Sequence, residues 1–260
     1  MVHVDIRRSA IQRIAIVLAV IVQIGATFLP QLGFGEPIGD RSDSVRTLIT
    51  PSGWAFSIWG PLFLGSAVYA IWQALPGQRH NSLLNQIGWW SVGALSAQGF
   101  WAIYTQFANL TIISAIIIAF SLICLLAILR TLVYREIPFT ASERWIVTLV
   151  FSALAAWLTA ATIVNISATL AYYGIGGDFA FPYITAGIVL VGGIIASIAV
   201  ARSKGNPWYA LVFCWALLAI YFRGGQESQA IAIACIVSGV LTAAAAAAPL
   251  QPANRHHWFG

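Results

Sequence analysis

The chain has 260 residues, of which 60% are hydrophobic and 8% charged, with a formal net charge of +5. An ordinary soluble domain is about a quarter charged, so a soluble globular protein is excluded and the mean hydropathy of +0.84 points to one membrane domain. The basic excess is scattered, with no arginine-rich or lysine-rich stretch, which argues against nucleic acid as a partner and for membrane topology as its cause.

Apolar runs follow one another near residues 11–33, 54–75, 83–105, 109–133, 145–173, 181–201, 206–223 and 227–249. A helix needs about 20 residues to cross a 30 Å hydrocarbon core, and these runs are too long and too evenly apolar for the short alternating strands of a membrane barrel. The expected fold is therefore all-α, a polytopic transmembrane bundle of about eight helices. The first run follows arginines, as a signal peptide would, but it is long enough to span and no A-x-A-like cleavage site follows it. It is read as the first helix.

The segment between the first two runs, from Phe34 to Gly53, carries Glu36, Asp40 and Asp43 among the turn formers Gly33, Gly35, Pro37 and Gly39. Helix connections in a bundle are usually about two to eight residues, so this one is expected to cover a site or to lie along the surface. With a cytoplasmic N-terminus, one side of the membrane holds Arg7, Arg8, Arg13, Arg79, Arg130, Arg135, Arg144, Arg202, Lys204 and Arg255, against Arg41, Arg46 and Arg223 on the other. That imbalance predicts cytoplasmic termini and an even number of spans; the inner membrane of a bacterium is the default location.

No acidic residue lies deep in an expected span, which argues against proton or ion coupling. The lone lysine, Lys204, falls in a loop and excludes a retinal Schiff base. His3, His80, His256 and His257 fall in loops or tails and leave no axial haem ligand in the bundle. His256 and His257 are expected to be solvated. GxSxG is absent, and Gly174, Gly176 and Gly177 lack the lysine of a phosphate loop. Cys124, Cys214 and Cys235 lie in apolar runs without CxxC spacing and read as small core residues. No catalytic residue, metal site or required cofactor is expected.

The interior does hold tryptophan, in 11 copies. Trp72, Trp89, Trp90, Trp145 and Trp208 fall near span ends and suit an interfacial belt. The second run opens with Pro51-Ser52-Gly53-Trp54-Ala55-Phe56-Ser57-Ile58-Trp59, and Phe63 follows Trp59 by four residues on the same helix face. An aromatic cleft at that end would suit a flat apolar ligand.

These residues resemble the tryptophan-rich sensory protein family, TspO/MBR or translocator protein, whose second helix opens with PPxWxFxxxW followed by Leu-Tyr. Here Ser52 stands for the second proline and Phe63, after Leu62, for the tyrosine. The family's Asn-x-x-Trp of the third helix is matched by Gln98 to Trp101, and its Trp-xxx-Ala-Thr-xx-Asn of the fifth by Trp157, Ala161, Thr162 and Asn165. The resemblance implies a TspO-like five-helix bundle over 1–175, followed by a three-helix extension and short tail over 176–260. The alanine run Ala243 to Ala248 would give that extension a smooth face for close packing.

The resemblance further implies a receptor or carrier that binds a porphyrin, another tetrapyrrole or a sterol-like lipid between Trp54, Phe56, Trp59, Phe63, Gln98, Trp101, Trp157, Ala161, Thr162 and Asn165. Porphyrin breakdown is proposed for the family, but no acid, base or metal stands ready for it in this sequence. Two other readings stay open, an accessory subunit of a larger, pigment-bearing membrane complex and a small-molecule transporter. Membrane lipids and a hydrophobic small molecule are the expected partners, with a homo-oligomer also open.

Overall fold

The computed structural model describes residues 7–175, 181–248 and 252–260, so His3, Gly176 and Gly177 lie outside the described residues. All regular structure among them is helical: α1 (Ala10–Gly25), α2 (Ile38–Ser44), α3 (Trp59–Ala74), α4 (Ser82–Ala108), α5 (Ile112–Val133), α6 (Leu149–Tyr172), α7 (Pro182–Arg202), α8 (Pro207–Tyr221), α9 (Gly224–Glu227), α10 (Gln229–Ala247) and α11 (Pro252–Phe259). Seven helical segments are long and apolar enough to cross a membrane. The run expected at 83–105 is α4, which falls outside those seven because Asn85, Gln86, Gln98 and Gln106 interrupt its apolar character. It nevertheless runs from one end of the bundle to the other. Beside its start the Arg8 amide donates to the Arg79 carbonyl, and near its end the Glu36 amide donates to Gln106, both at 2.9 Å.

Local sequence chemistry starts the helices. Ser9 accepts from the Ile11 amide at the head of α1, and Asn81 accepts from Leu84 at the head of α4. Asn206, followed by Pro207, accepts from Tyr209 at the head of α8. Thr140 and Glu143 bond reciprocally to each other's amides at 3.2 and 3.0 Å, a capping box that opens the segment leading through a π-helical turn at Glu143–Thr148 into α6.

The helices α1, α3, α6, α5 and α4 pack in that order into a closed ring, α4 returning onto α1. At the α1–α4 crossing, a Cβ on Gly99 would lie 2.7–2.8 Å from Val22 side-chain and backbone atoms, so glycine sets the approach. α8 lies against α6 outside the ring, and α10 packs on both α7 and α8. The close approach of α7 and α10 is made by Gly193 against Ser238. The alanine run at the end of α10 does not make it. Most of those alanines face outward, because the tighter crossing lies a turn or more earlier. Cys124 and Cys235 are buried, Cys214 half-buried, and all three are free thiols.

One end of the molecule is basic. Arg8, 2% exposed, bonds the Gln12 side chain and both the backbone and side-chain oxygens of Gln73 there. The C-terminal tail, expected to be solvated, docks at this end as α11. Trp258 is buried and donates to the Lys204 carbonyl at 3.2 Å, and Phe259 meets Trp208 edge-on at 5.5 Å. His256 is exposed as expected, but His257 is drawn in against Phe139, at 5.1 Å between ring centres.

Burial, with Lys204 and Arg144 alongside, pushes the His257 imidazole down to about 4, a shift that a backbone hydrogen bond to Leu132 only partly opposes. Above its ordinary value of 6.5 the imidazole is neutral whether docked or free, and docking is independent of pH. Between that value and about 4 the free tail takes up a proton that the docked one refuses, so docking weakens as pH falls. Hydrogen exchange at residues 252–259, corrected for intrinsic rates, is expected to quicken from neutral pH to pH about 5. His257→Gln should lose that dependence. Equal protection of the tail at both pH values would contradict this account.

Candidate functional site

The site lies at the opposite end of the ring, inside α1, α3 and α4. The residues before α3 form a 3₁₀ turn, Gly53–Ile58, that passes directly into the α-helix at Trp59. Trp54 and Phe56, two positions apart in this turn, fall on different sides. Phe56 points inward, where it meets Trp157 edge-on at 6.5 Å. Trp59 stacks on Phe63 at 5.0 Å and meets Trp157 edge-on at 6.0 Å. Trp54 is placed apart from the others: it is 42% exposed and packs on Trp215 at 4.9 Å, outside the ring against α8.

Two adjoining chambers result. The larger, about 670 Å³, is walled by Phe56, Trp59, Phe63, Gln98, Trp101 and Ala102, with Gln23 from α1, Thr27 from the turn that follows it and Gln106 from α4. The smaller, about 50 Å³, lies between Trp157, Ala161, Val164 and Asn165 of α6 and Ala216 and Ile220 of α8. Phe56, Trp101 and Ile38 line both. Of the ten expected ligand contacts, these chambers gather eight. Thr162 is the other exception: its hydroxyl is buried and turned back on the Leu158 carbonyl at 2.7 Å.

The segment 34–52 is the roof. Its helix α2 places Ile38, Gly39, Asp40 and Asp43 on the larger chamber. On one side the roof is tied to α4: Arg41 reaches the Gln106 carbonyl at 3.0 Å, and Asn109 donates to the Ser44 hydroxyl at 3.0 Å. Gly35, with φ 71°, lies against Gln106, where a Cβ would be 3.0 Å from its carbonyl oxygen. On the other side the roof is tied to the C-terminal helices. Arg223 pairs with Asp43 at 2.6 Å and donates to the Pro51 carbonyl at 3.1 Å, and Arg46 pairs with Glu227. Ser52, which stands where the TspO pattern has proline, donates through both its amide and its hydroxyl to the Ala219 carbonyl of α8, at 3.0 and 3.1 Å. Proline has no N–H for the first of these bonds.

A run of amides crosses the wall. The Gln23 Nε2 donates to Gln98 Oε1 at 2.8 Å, and Gln98 donates to the Ala94 carbonyl and toward Ser121. Asn165 Oδ1 lies 3.0 Å from the Ser114 hydroxyl. Several buried polar atoms have no partner: the indole nitrogens of Trp101 and Trp157, Asn165 Nδ2, and the side-chain oxygens of Gln23 and Gln106. Buried polar groups usually find a partner, and these five residues stand in the walls of the two chambers.

Sequence reasoning missed Gln23, Gln106, Asp40 and α8. The two glutamines carried a usable signal, since an amide inside an apolar run must find partners in lipid. No cluster of histidine, cysteine or acidic side chains suited to a metal occurs among the described residues.

No curated protein and no solved structure matches the chain. Residues 9–248 match the family model of TSPO-like protein, across the first five spanning segments and the C-terminal helices alike. The chain therefore belongs to the family of TSPO-like proteins.

Proposed function

We propose that this membrane protein is a receptor or carrier for flat hydrophobic molecules, a tetrapyrrole or a sterol-like lipid, held in the roofed chamber. The observation that carries this reading is the chamber of about 670 Å³ with Phe56, Trp59, Phe63 and Trp101 on its walls, within the usual size of a small-molecule site. Aromatic walls favour flat ligands because stacking adds to the area buried. The basic end with Arg8, Arg79, Arg144 and Lys204 supports cytoplasmic termini under the positive-inside rule, and hence a site at the outer face.

The test uses the protein in nanodiscs of zwitterionic lipid, titrated with protoporphyrin and with its neutral dimethyl ester. At least one is expected to quench tryptophan emission at micromolar concentration, beyond the effect of partition into empty discs. Trp59→Ala should weaken that ligand roughly tenfold, the upper end for one aromatic contact. Absence of quenching by both compounds would remove this reading.

A further inference from the structure

Resting on that reading, the polar groups of the larger chamber select among flat ligands. Its lining holds two carboxylates, Asp40 and Asp43, and no lysine, arginine or histidine. Asp43 is compensated by Arg223 at 2.6 Å. Arg41, next along α2, directs its guanidinium to the Gln106 carbonyl and is not part of the lining. Asp40 is exposed at the mouth and makes no hydrogen bond or ion pair among the described residues.

The amides of the wall have the same polarity. Gln23 and Gln106 are each 1% exposed, and each has a side-chain oxygen without a partner. Their orientations are fixed by what the nitrogens do: Gln23 Nε2 donates to Gln98, and Gln106 Nε2 donates to the carbonyls of Ala26 and Ala102 at 2.9 and 2.8 Å. The unsatisfied atoms on these two residues are therefore acceptor oxygens, whose partial negative charge adds to that of the carboxylates. The stacked Trp59 and Phe63 offer ring faces that attract a cation.

We infer that the chamber prefers flat aromatic molecules bearing a protonated amine, with the ammonium at Asp40 and the ring system between Phe56, Trp59 and Trp101. Anionic ligands of the same size meet a carboxylate at the mouth and no base to neutralise them.

A matched set of probes isolates charge from shape: 1-pyrenemethylamine, 1-pyrenemethanol and 1-pyrenecarboxylate, read by energy transfer from tryptophan in zwitterionic nanodiscs with empty discs as the reference. The amine is expected to bind roughly tenfold more tightly than the alcohol, the combined scale of one exposed ion pair and one cation–ring contact, and the carboxylate more weakly than either. Asp40→Asn should shrink the advantage of the amine over the alcohol by the share of the ion pair, and Asp40→Lys should favour the carboxylate. Equal binding of all three, or an amine advantage undiminished in Asp40→Asn, would overturn the charge preference and leave the aromatic site standing. If no probe binds, and the porphyrin titration is also silent, the underlying reading fails with it.

Discussion

Trp157→Ala is expected to lower the stability of the bundle by about 3 kcal/mol, the lower end for removing a large buried aromatic. The side chain is 3% exposed and fills the space between Phe56, Trp59 and the face of α8. Its indole nitrogen has no hydrogen-bond partner, so the loss is one of packing alone. Within a bilayer the transfer term shrinks, because lipid is as apolar as the core. The cavity term remains, because this space faces protein on all sides and its lining loses its contacts outright. Unfolding in dodecyl sulfate measures the change. Since the truncation enlarges the small chamber without adding a polar group, indole added to the variant should recover part of the stability and should do nothing for the parent. A loss below about 1 kcal/mol, the scale of a surface substitution, would mean that Trp157 is not a structural wall of the site.

That Trp157 belonged to the site was legible because α6 is a regular helix. Residues 157, 161 and 165 recur every four positions and share a face, so sequence spacing translated directly into a wall. No such spacing covered Trp54, which lies in the 3₁₀ turn before α3, two positions from Phe56 and on another face. Span positions were legible from hydropathy wherever the interior of a helix is apolar. The run at 83–105 was legible as α4 as well, although Gln98 and Gln106 of that helix face other helices and line the chamber. The part taken by α8 was not legible at all. Ser52 and Ala219, or Asp43 and Arg223, meet across more than 150 residues of sequence, and no local periodicity encodes such a meeting.

Gly224→Ala tests that long-range meeting most sharply. Gly224 opens α9, between Arg223 and Glu227, and its backbone lies directly on the roof. A Cβ there would fall 1.7 Å from the Leu48 carbonyl oxygen and 2.7 Å from its carbon, and neither is a flexible side-chain end that can swing aside. Alanine is the better helix former by about 1 kcal/mol, which would make this a stabilising change on an open helix. Here the overlap decides the sign, because relieving it requires the roof to leave α9. The ion pairs that would resist are Arg223 with Asp43 and Arg46 with Glu227, beside the hydrogen bonds of Arg223 to Pro51 and of Ser52 to Ala219. Partly exposed pairs of this kind hold with about 0.2–1 kcal/mol each, less than the overpacking cost of about 1–3 kcal/mol. The roof should therefore lift: hydrogen exchange across residues 36–52 is expected to quicken and the affinity for any chamber ligand to fall. Arg223→Gln should do the same more weakly, since it removes the tie without forcing the surfaces apart. Parental exchange in this segment of Gly224→Ala would mean that the C-terminal helices do not hold the roof, and that the roof is secured by Arg41, Asn109 and Gly35 on α4 alone.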